Sequence, residues 1–368
     1  MSAKLTVVGK DQAAANKSSA AGRVTRSDGA YLRYVEDKPL DMAAVGEFLQ
    51  DSQKANHWTN FGPVSLQAEA AIAEALNLDE GLRVVMCSSG TAALHGIIAL
   101  HETLAKRDLR WVSSSFGYYS SVQGPLRHAD IADCDEQAML DLDTLDPTKY
   151  DGLIVTNTFG QAGNLDKYYR FAATHGKILC IDSALAFGSH KHGANECISF
   201  HHTKPWGFGE GGCAIVAAEH EQLLRSLICF GHEEGEEINR RADNGKISDI
   251  AAAFALMRLQ QMDSKADEYR EQYRRIASLG RQVGFAILAD VDQHPGIPAN
   301  VPLLAPVALQ DFKHKILPTG RYYHPLANTP TANEIYERIV NVPCHSDLAK
   351  LSDAEIRNAL NDIIQRCF

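Results

Sequence analysis

The stretch from Asp182 to Gly212 reads DSALAFGSHKHGANECISFHHTKPWGFGEGG and carries the clearest signal of the chain's architecture. One short apolar run ends at Asp182, a second spans residues 197–200, and a third begins after Gly212. Short apolar runs bounded by turn residues are typical of buried strands in a largely parallel sheet. Lys204 lies between the second and third of these predicted strands, downstream of the Asp182 carboxylate.

The Lys204 amine and the Asp182 carboxylate are the pair of groups that a pyridoxal phosphate site requires. That cofactor needs an amine to hold it as a Schiff base and an acid to pair with its pyridine nitrogen. Asp182 closes an apolar run, which puts it at the carboxyl edge of a parallel sheet, where ligands bind in open α/β folds. Taken singly, Lys204 also suits a solvated lysine, and Asp182 also suits a helix cap or a loop ion pair.

A candidate phosphate cradle lies upstream, where Ser88-Ser89-Gly90-Thr91-Ala92 joins a predicted strand to a predicted helix. Glycine lets the main chain approach a ligand, and the free amides of a helix start favour an anion. The same residues also suit a plain capping turn. Ser199 lies within reach of the phosphate if Lys204 holds the cofactor, and the glycine-rich run at 207–212 gives the lysine room to swing.

Alternating apolar runs and amphipathic segments from residue 83 onward predict βα units on a mostly parallel sheet. The predicted strands are 84–87, 111–113, 129–132, 153–156, 178–181 and 214–217. The predicted helices are 40–50, 65–76, 92–104, 165–174 and a long one at 248–283.

We therefore expect an α/β protein with two domains and a flexible tail. A large domain at 31–255 holds a mostly parallel mixed sheet flanked by helices, and would bind the cofactor. A smaller C-terminal α+β domain at 256–368 has predicted strands at 286–288 and 303–307 and a final helix at 353–366. Residues 1–30 are polar and small, and predict a flexible N-terminal tail.

Composition excludes several classes of function. The net charge of -10 argues against a nucleic-acid surface, which needs clustered Lys and Arg. No apolar run is long enough for a signal peptide or a bilayer-spanning helix, so we expect a soluble, cytoplasmic protein with no membrane partner. The eight scattered cysteines predict buried free thiols. His190 and His192 have no Cys or acidic partner at zinc-like spacing, so no metal site is predicted.

The motifs together resemble the sugar aminotransferases of the DegT/StrS-like family, which have the pyridoxal phosphate-dependent aspartate aminotransferase fold (fold type I). The resemblance runs in sequence order through residues 58–63, 88–93, 159–161, 182–184, 199–204, 209–212, 244–250 and 342–348. It implies that Lys204 forms the Schiff base and then moves the proton during amino transfer. Asp182 would pair with the pyridine nitrogen, and Gly90, Thr91 and Ser199 would bind the phosphate.

The resemblance also implies an aromatic stack and a second subunit. Tyr118 falls where a ring stacks on the cofactor, with Tyr119 as the alternative register. Asn244 matches an asparagine that reaches the phosphate of the neighbouring subunit, which implies a homodimer with shared active sites.

Departures from the family pattern concern the substrate more than the chemistry. Leu185 replaces a glutamine near the ring oxygen of the cofactor, and Lys246 replaces an arginine. Arg321-Tyr322-Tyr323-His324 replaces the usual His-Tyr-Pro near the substrate. Arg321 and Tyr323 are therefore candidate substrate residues, since a guanidinium matches a carboxylate at two points.

We expect a sugar aminotransferase that uses L-glutamate as donor and acts in cell-surface sugar biosynthesis, including that of lipopolysaccharide. The substrate would be a nucleotide-linked ketohexose or an acidic oxo-sugar such as 8-oxo-3-deoxy-octulosonate, which would yield 8-amino-3,8-dideoxy-octulosonate. The alternatives are a non-catalytic regulatory protein that binds pyridoxal phosphate, and a sugar dehydratase. The dehydratases of this family typically replace the lysine by histidine, whereas Lys204 is present.

Overall fold

The structure is a computed structural model that describes residues 24–25, 31–160, 165–231, 235–289 and 296–366. The predicted tail at 1–30 lies outside the described residues except at 24–25. The strands are β1 Val24–Thr25, β2 Tyr31–Leu32, β3 Leu82–Cys87, β4 Trp111–Ser114, β5 Phe116–Gly117, β6 Asp130–Ala132, β7 Gly152–Thr156, β8 Ile178–Asp182, β9 Glu196–Ser199, β10 Gly212–Ala217, β11 Ala286–Ile287, β12 Asn300–Leu304, β13 His324–Pro325 and β14 Ile339–Pro343. The α-helices are α1 Met42–Ala55, α2 Pro63–Ala75, α3 Gly90–Ala105, α4 Asp166–His175, α5 Glu221–Leu227, α6 Glu236–Arg241, α7 Asp249–Gln282, α8 Pro330–Arg338 and α9 Asp353–Gln365.

The central sheet is mixed and mostly parallel, as predicted. Within the described residues its strand order is β3-β10-β9-β8-β7-β4-β6. Strand β10 runs antiparallel to both neighbours, and the remaining pairs from β9 to β6 are parallel. Gly212, at the start of β10, lies opposite both Cys87 and Ser199. The carboxyl ends of β3 and β9 and the start of β10 therefore meet at one edge of the sheet.

Buried apolar side chains explain why this sheet forms and how closely its helices pack. The residues of β7 are all buried, as are those of β10 up to Val216, which suits strands covered by helices on both faces. A Cβ atom at Gly152 would lie 2.2 Å from the Trp111 ring, so only glycine fits there. Helix α3 packs on the sheet through a buried stripe of Ala93, Leu94, Ile97 and Ile98.

A second, smaller sheet lies in the C-terminal part, with strand order β11-β12-β14 and antiparallel pairing. Helix α7 contacts this sheet as well as α1 and α2, so it joins the two layers of the molecule. The predicted domain limit at 255/256 lies inside α7 and stays a prediction. The strand predicted at 303–307 is β12, three residues earlier, because Pro306 has no N–H with which to extend the ladder.

Neither a membrane span nor a disulfide occurs among the described residues. None of their helices combines the length and the apolar character needed to cross a bilayer. Their cysteines are free, and all except Cys229 are buried. Burial raises the pKa of the Cys87 thiol to about 12, as expected for an inert core cysteine.

Candidate active site

Lys204 lies in a turn that follows β9 and carries a buried amine. The residue is 8% exposed, and its Nζ lies 2.5 Å from the hydroxyl oxygen of Tyr322. The Lys204 amide donates to the His201 carbonyl at 2.8 Å, and the Gly207 amide donates to the Lys204 carbonyl at 3.0 Å. These bonds form a compact turn that directs the lysine amine towards the C-terminal segment around Tyr322.

Asp182 ends β8 with its carboxylate buried at the same sheet edge. It is 3% exposed, and its Oδ1 accepts the Ala184 amide at 3.0 Å and lies 3.7 Å from the Cys197 sulfur. Burial raises the pKa of Asp182, while the Ala184 amide and the Lys204 charge act against that rise. A buried carboxylate is costly without a cationic partner, and a protonated pyridine nitrogen would be such a partner. Asp182 therefore fits the role predicted for it.

The start of α3 forms an open cradle for an anion. Ser89 caps the helix by accepting the Ala92 amide at 3.0 Å, and the first-turn amides of Gly90 and Thr91 have no partner within the helix. A Cβ atom at Gly212 would lie 2.3 Å from the Gly90 nitrogen, and one at Gly90 would lie 3.0 Å from the Ser199 Cβ. Glycine at both positions keeps main chain and helix start close together, which suits a phosphate bound at the helix N-terminus.

Tyr118 and Tyr119 follow β5 and are both half-exposed. Strand β5 pairs with β13, so the two tyrosines lie beside the segment that carries Tyr322. The Tyr119 ring stacks on His324 with centroids 6.0 Å apart. The Tyr118 ring contacts the Tyr119 ring edge-on, with centroids 5.8 Å apart. The stacking of Tyr118 on the cofactor, with Tyr119 as the alternative, stays a prediction.

Asn244 lies at the surface beside the end of β3. The Ser88 amide donates to the neighbouring Gly245 carbonyl at 2.7 Å, which holds this segment next to the cradle. Lys246 donates to the Asn244 side-chain oxygen and lies over the Phe230 ring at 4.2 Å. The predicted contact of Asn244 with a second subunit stays a prediction.

Arg321 is held by the main chain and by two aromatic rings. Its guanidinium donates to the Ile339 carbonyl at 3.1 Å and to the Glu337 carbonyl at 2.9 Å. It also lies between Phe312 and Tyr336, 4.7 and 4.6 Å from their ring centroids. These contacts make Arg321 a packing residue, and they give no support to its predicted role as a carboxylate ligand.

Tyr322, rather than Tyr323, is the tyrosine of this segment that contacts Lys204. Tyr323 is 3% exposed and packs against Phe116 and Phe159, with centroids 6.1 and 5.0 Å away. Leu185 belongs to the same apolar cluster, which explains why a leucine fits where relatives carry a glutamine. The sequence predicts the segment 321–324 near the substrate, and two adjacent tyrosines carry no local signal of which one faces Lys204.

A buried cluster of His190, His192 and Glu196 pairs one carboxylate with two imidazole rings. Glu196 Oε1 lies 2.7 Å from His190 Nε2 and 2.9 Å from His192 Nδ1. The Ser189 hydroxyl donates to the Ala186 carbonyl at 3.0 Å and lies 3.0 Å from His190 Nδ1. His192 Nε2 accepts the Gly188 amide, which leaves the proton on the nitrogen that faces Glu196. One ligand atom from each of the three side chains lies within 4.8 Å of the others, a spacing that a metal ion could bridge.

The two imidazole rings stabilise the charged form of the Glu196 carboxylate. Burial acts to raise the pKa of Glu196, but His190 and His192 outweigh it and lower the pKa below its usual range. The prediction that no acidic partner accompanies these histidines was wrong, because the Glu196 carboxylate lies within 2.9 Å of both rings.

Comparison with known proteins assigns the fold and the family. The sequence profile of the DegT/DnrJ/EryC1/StrS aminotransferase family matches residues 41–311. Protein Rv3402c of Mycobacterium tuberculosis is 29% identical over 260 residues, which cover 63% of this chain and 60% of that relative. The chain thus spans about 60% of the length of the curated relatives that it matches.

Two further relatives have names that mention a sugar. The dTDP-4-amino-4,6-dideoxy-D-glucose transaminase of Shigella dysenteriae is 26% identical over 209 residues, covering 46% of this chain and 55% of that protein. The crystal structure of DesI in the presence of its TDP-sugar product superposes with a TM-score of 0.72 and 21% identity, covering 89% of this chain and 91% of DesI. The chain belongs to the DegT/DnrJ/EryC1/StrS aminotransferase family, a family of pyridoxal phosphate-dependent enzymes.

Proposed function

We propose that this protein is a pyridoxal phosphate-dependent aminotransferase that converts a keto or aldehyde group of a sugar to an amine, with L-glutamate as donor. The observation that carries the proposal is the convergence of the Lys204 amine, the Asp182 carboxylate and the α3 cradle at one sheet edge. Each of these groups suits a different part of the cofactor: the amine suits the Schiff base, the carboxylate the pyridine nitrogen, and the cradle the phosphate.

Each side chain has a separate task in this reaction. Pyridoxal phosphate supplies an electron sink for the negative charge that develops on the substrate carbon. The amides of Gly90 and Thr91, with the Ser199 hydroxyl, would bind the phosphate. Asp182 would hold the proton on the pyridine nitrogen. Lys204 would hold the cofactor covalently and, once released, would take a proton from one carbon and return it to another.

Tyr322 would keep the Lys204 amine in place between those two proton transfers. Its hydroxyl lies 2.5 Å from Lys204 Nζ and 3.4 Å from the Thr203 hydroxyl. Because a hydroxyl both donates and accepts, it can bind the amine in its neutral and its charged form.

For the substrate we propose a nucleotide-linked ketohexose of cell-surface sugar biosynthesis, such as that of lipopolysaccharide. The support comes from the Shigella dysenteriae transaminase and from DesI, whose names mention a dTDP-sugar and a TDP-sugar. The contacts of Arg321 weaken the case for an acidic oxo-sugar such as 8-oxo-3-deoxy-octulosonate.

We also propose a homodimer in which each subunit completes the other's site through Asn244. Two exposed apolar side chains lie near this residue, one across a backbone bridge and one along the chain. Phe230, beside the Cys229–Asn244 bridge, is 46% exposed, and Ile250, six residues further along the chain, is 51% exposed. An exposed apolar patch next to a polar group is typical of a protein–protein contact surface.

The reaction of the cofactor-loaded protein with candidate amines tests the proposal. The protein loaded with pyridoxal phosphate is mixed with L-glutamate, with an amino sugar attached to a nucleotide, or with 8-amino-3,8-dideoxy-octulosonate, and the visible absorbance of the cofactor is followed. We expect glutamate and the nucleotide-linked amino sugar to bleach the band in the wild type but not in Lys204→Ala. Conversion by the acidic sugar alone would move the substrate to that class. Cofactor binding without conversion by any amine would overturn the proposal in favour of a non-catalytic protein.

A further inference from the structure

Buried Lys38 binds the main chain of the turn that carries Lys204. It is 8% exposed and lies just ahead of α1, far from Lys204 in the sequence. Its Nζ donates to the His202 carbonyl at 2.7 Å, to the Gly207 carbonyl at 2.5 Å, and to the carbonyl of Lys204 itself. Three carbonyl oxygens of one turn therefore converge on a single ammonium group.

A second buried cation binds the same turn and comes from a residue that follows the turn in the sequence. Arg258 lies on α7, is fully buried, and donates from Nε to the Pro205 carbonyl at 2.6 Å. Four carbonyls between residues 202 and 207 thus face either Lys38 or Arg258. The main chain around Lys204 is fixed by charge-assisted hydrogen bonds, which are about twice as strong as neutral ones.

One buried carboxylate offsets part of this positive charge. Glu36 is 6% exposed and accepts from Arg258, from Lys265 at 2.9 Å and from Tyr269 at 3.0 Å. Burial acts to raise the pKa of Glu36, but Arg258 and Lys265 outweigh it and lower the pKa, so Glu36 stays ionised. The segment at 36–38 thereby supplies both a cation for the turn and the counter-charge for Arg258.

The cost of burying Lys38 indicates that its amine has a specific task. Burial, and then the charge of Arg258, lower the pKa of Lys38 to about 7, while Glu36 acts in the opposite direction. An apolar side chain of similar length would fill the same space without removing an ammonium group from water. What only the ammonium can do is donate to three carbonyls at once.

We propose that Lys38 is a positioning residue for Lys204: by binding the carbonyls of residues 202, 204 and 207, it holds the turn so that the Lys204 amine meets the cofactor. The inference rests on the proposed function in one respect, that Lys204 is the lysine to which the cofactor attaches. With the main chain fixed, only the Lys204 side chain has to move during the reaction. Lys38 itself does not contact the reacting atoms.

The test compares Lys38→Met with a matched control, Lys54→Met, in the full chain. Methionine keeps the length and apolar stem of Lys38 but cannot donate, whereas the Lys54 side chain lies on α1 and is 72% exposed. Stopped-flow absorbance measures the rate at which pyridoxal phosphate attaches to the cofactor-free protein. Visible circular dichroism reports the asymmetric environment of the bound cofactor. We expect attachment at least tenfold slower and a weaker visible signal in Lys38→Met, with wild-type values in Lys54→Met.

The outcomes separate this inference from the proposed function. Absence of attachment in the wild type would contradict the proposed function. If the cofactor attaches to Lys38→Met at the wild-type rate, only the role of Lys38 is overturned, even if the variant unfolds at a lower temperature. Should Lys38→Met fail to fold, hydrogen exchange on the wild type decides: the Lys204 and Gly207 amides must exchange as slowly as those of β9. Exchange of these two amides at loop rates would overturn the inference.

Discussion

The Tyr322 hydroxyl is the group that contacts the Lys204 amine, at 2.5 Å. We expect Tyr322→Phe to lower kcat about tenfold to a hundredfold, the loss that corresponds to one hydrogen bond to a charged group of about 1.5–3 kcal/mol, with cofactor content unchanged. Phenylalanine keeps the ring that packs on Tyr323, so the fold should persist. Tyr169→Phe, on α4, is the matched control and should keep wild-type kcat. Equal kcat for both variants would remove Tyr322 from the mechanism.

The Asp182 carboxylate tests the pairing with the pyridine nitrogen. Asparagine keeps the shape of the side chain but carries no charge, and a charge-assisted hydrogen bond is worth about 1.5–3 kcal/mol. Asp182→Asn should therefore bind pyridoxal phosphate and lose about tenfold to a hundredfold in kcat. Single-turnover rates with L-glutamate measure the loss of rate, and wild-type rates would show that another group pairs with the nitrogen.

At the residue scale, the sequence indicated the side chains near the ends of predicted strands. It missed the side chains that contact Lys204 from distant parts of the chain. Asp182 could be predicted at the sheet edge because it closes an apolar run, and Ser199 because it lies near the end of the next run, just ahead of Lys204. Lys38 and Tyr322 are 166 and 118 residues away from the positions that they contact, and no local pattern reports such a contact. Arg321 was expected at the substrate, but its charge is used to bind main-chain carbonyls.

The cradle between β10 and α3 depends on glycine at 212. A Cβ atom there would lie 2.3 Å from the Gly90 nitrogen, and main chain cannot move aside as a flexible side chain can. Gly212→Ala should displace the start of α3, destabilise the protein by about 1–3 kcal/mol and weaken cofactor binding at least tenfold. Equilibrium titration with pyridoxal phosphate measures the affinity, and thermal unfolding measures the stability.

Gly46→Ala is the control for that substitution. Gly46 lies inside α1, and a Cβ atom added there would have nothing within 4 Å. Alanine at this position should therefore leave cofactor affinity unchanged and slightly raise the unfolding temperature. Equal affinity in both variants would show that the cradle tolerates a side chain at 212.

The elements that the sequence predicted best are those buried on both faces. Strands β3, β7 and β8 were predicted to within two residues, since their apolar runs are continuous. Strand β14 was not predicted as a strand, because its run is broken by Asn341. That side chain is fully buried, yet it is paired: its amide donates to Asn300 at 2.9 Å, and its oxygen accepts the Tyr322 amide at 2.9 Å. Only the fold reveals those partners.

At the scale of the whole molecule, the proposed dimer makes a quantitative prediction. If Asn244 completes the partner's site, Lys204→Ala and Asn244→Ala subunits fail separately but form one intact site when paired. Random mixing gives half mixed dimers, each with one intact site of two, so activity should recover to about a quarter of the wild type. If native mass spectrometry shows that mixed dimers have formed and no activity is recovered, each site is built within one subunit.

The identity of the lysine that holds the cofactor is the central claim, and chemical reduction tests it most directly. Borohydride applied to the protein loaded with pyridoxal phosphate fixes the cofactor to its lysine, and peptide mass spectrometry then locates it. The geometry at the sheet edge predicts the label on the peptide that contains Lys204, and no label at this site in Lys204→Ala. A label on any other lysine of the wild type, or none at all, would contradict this assignment.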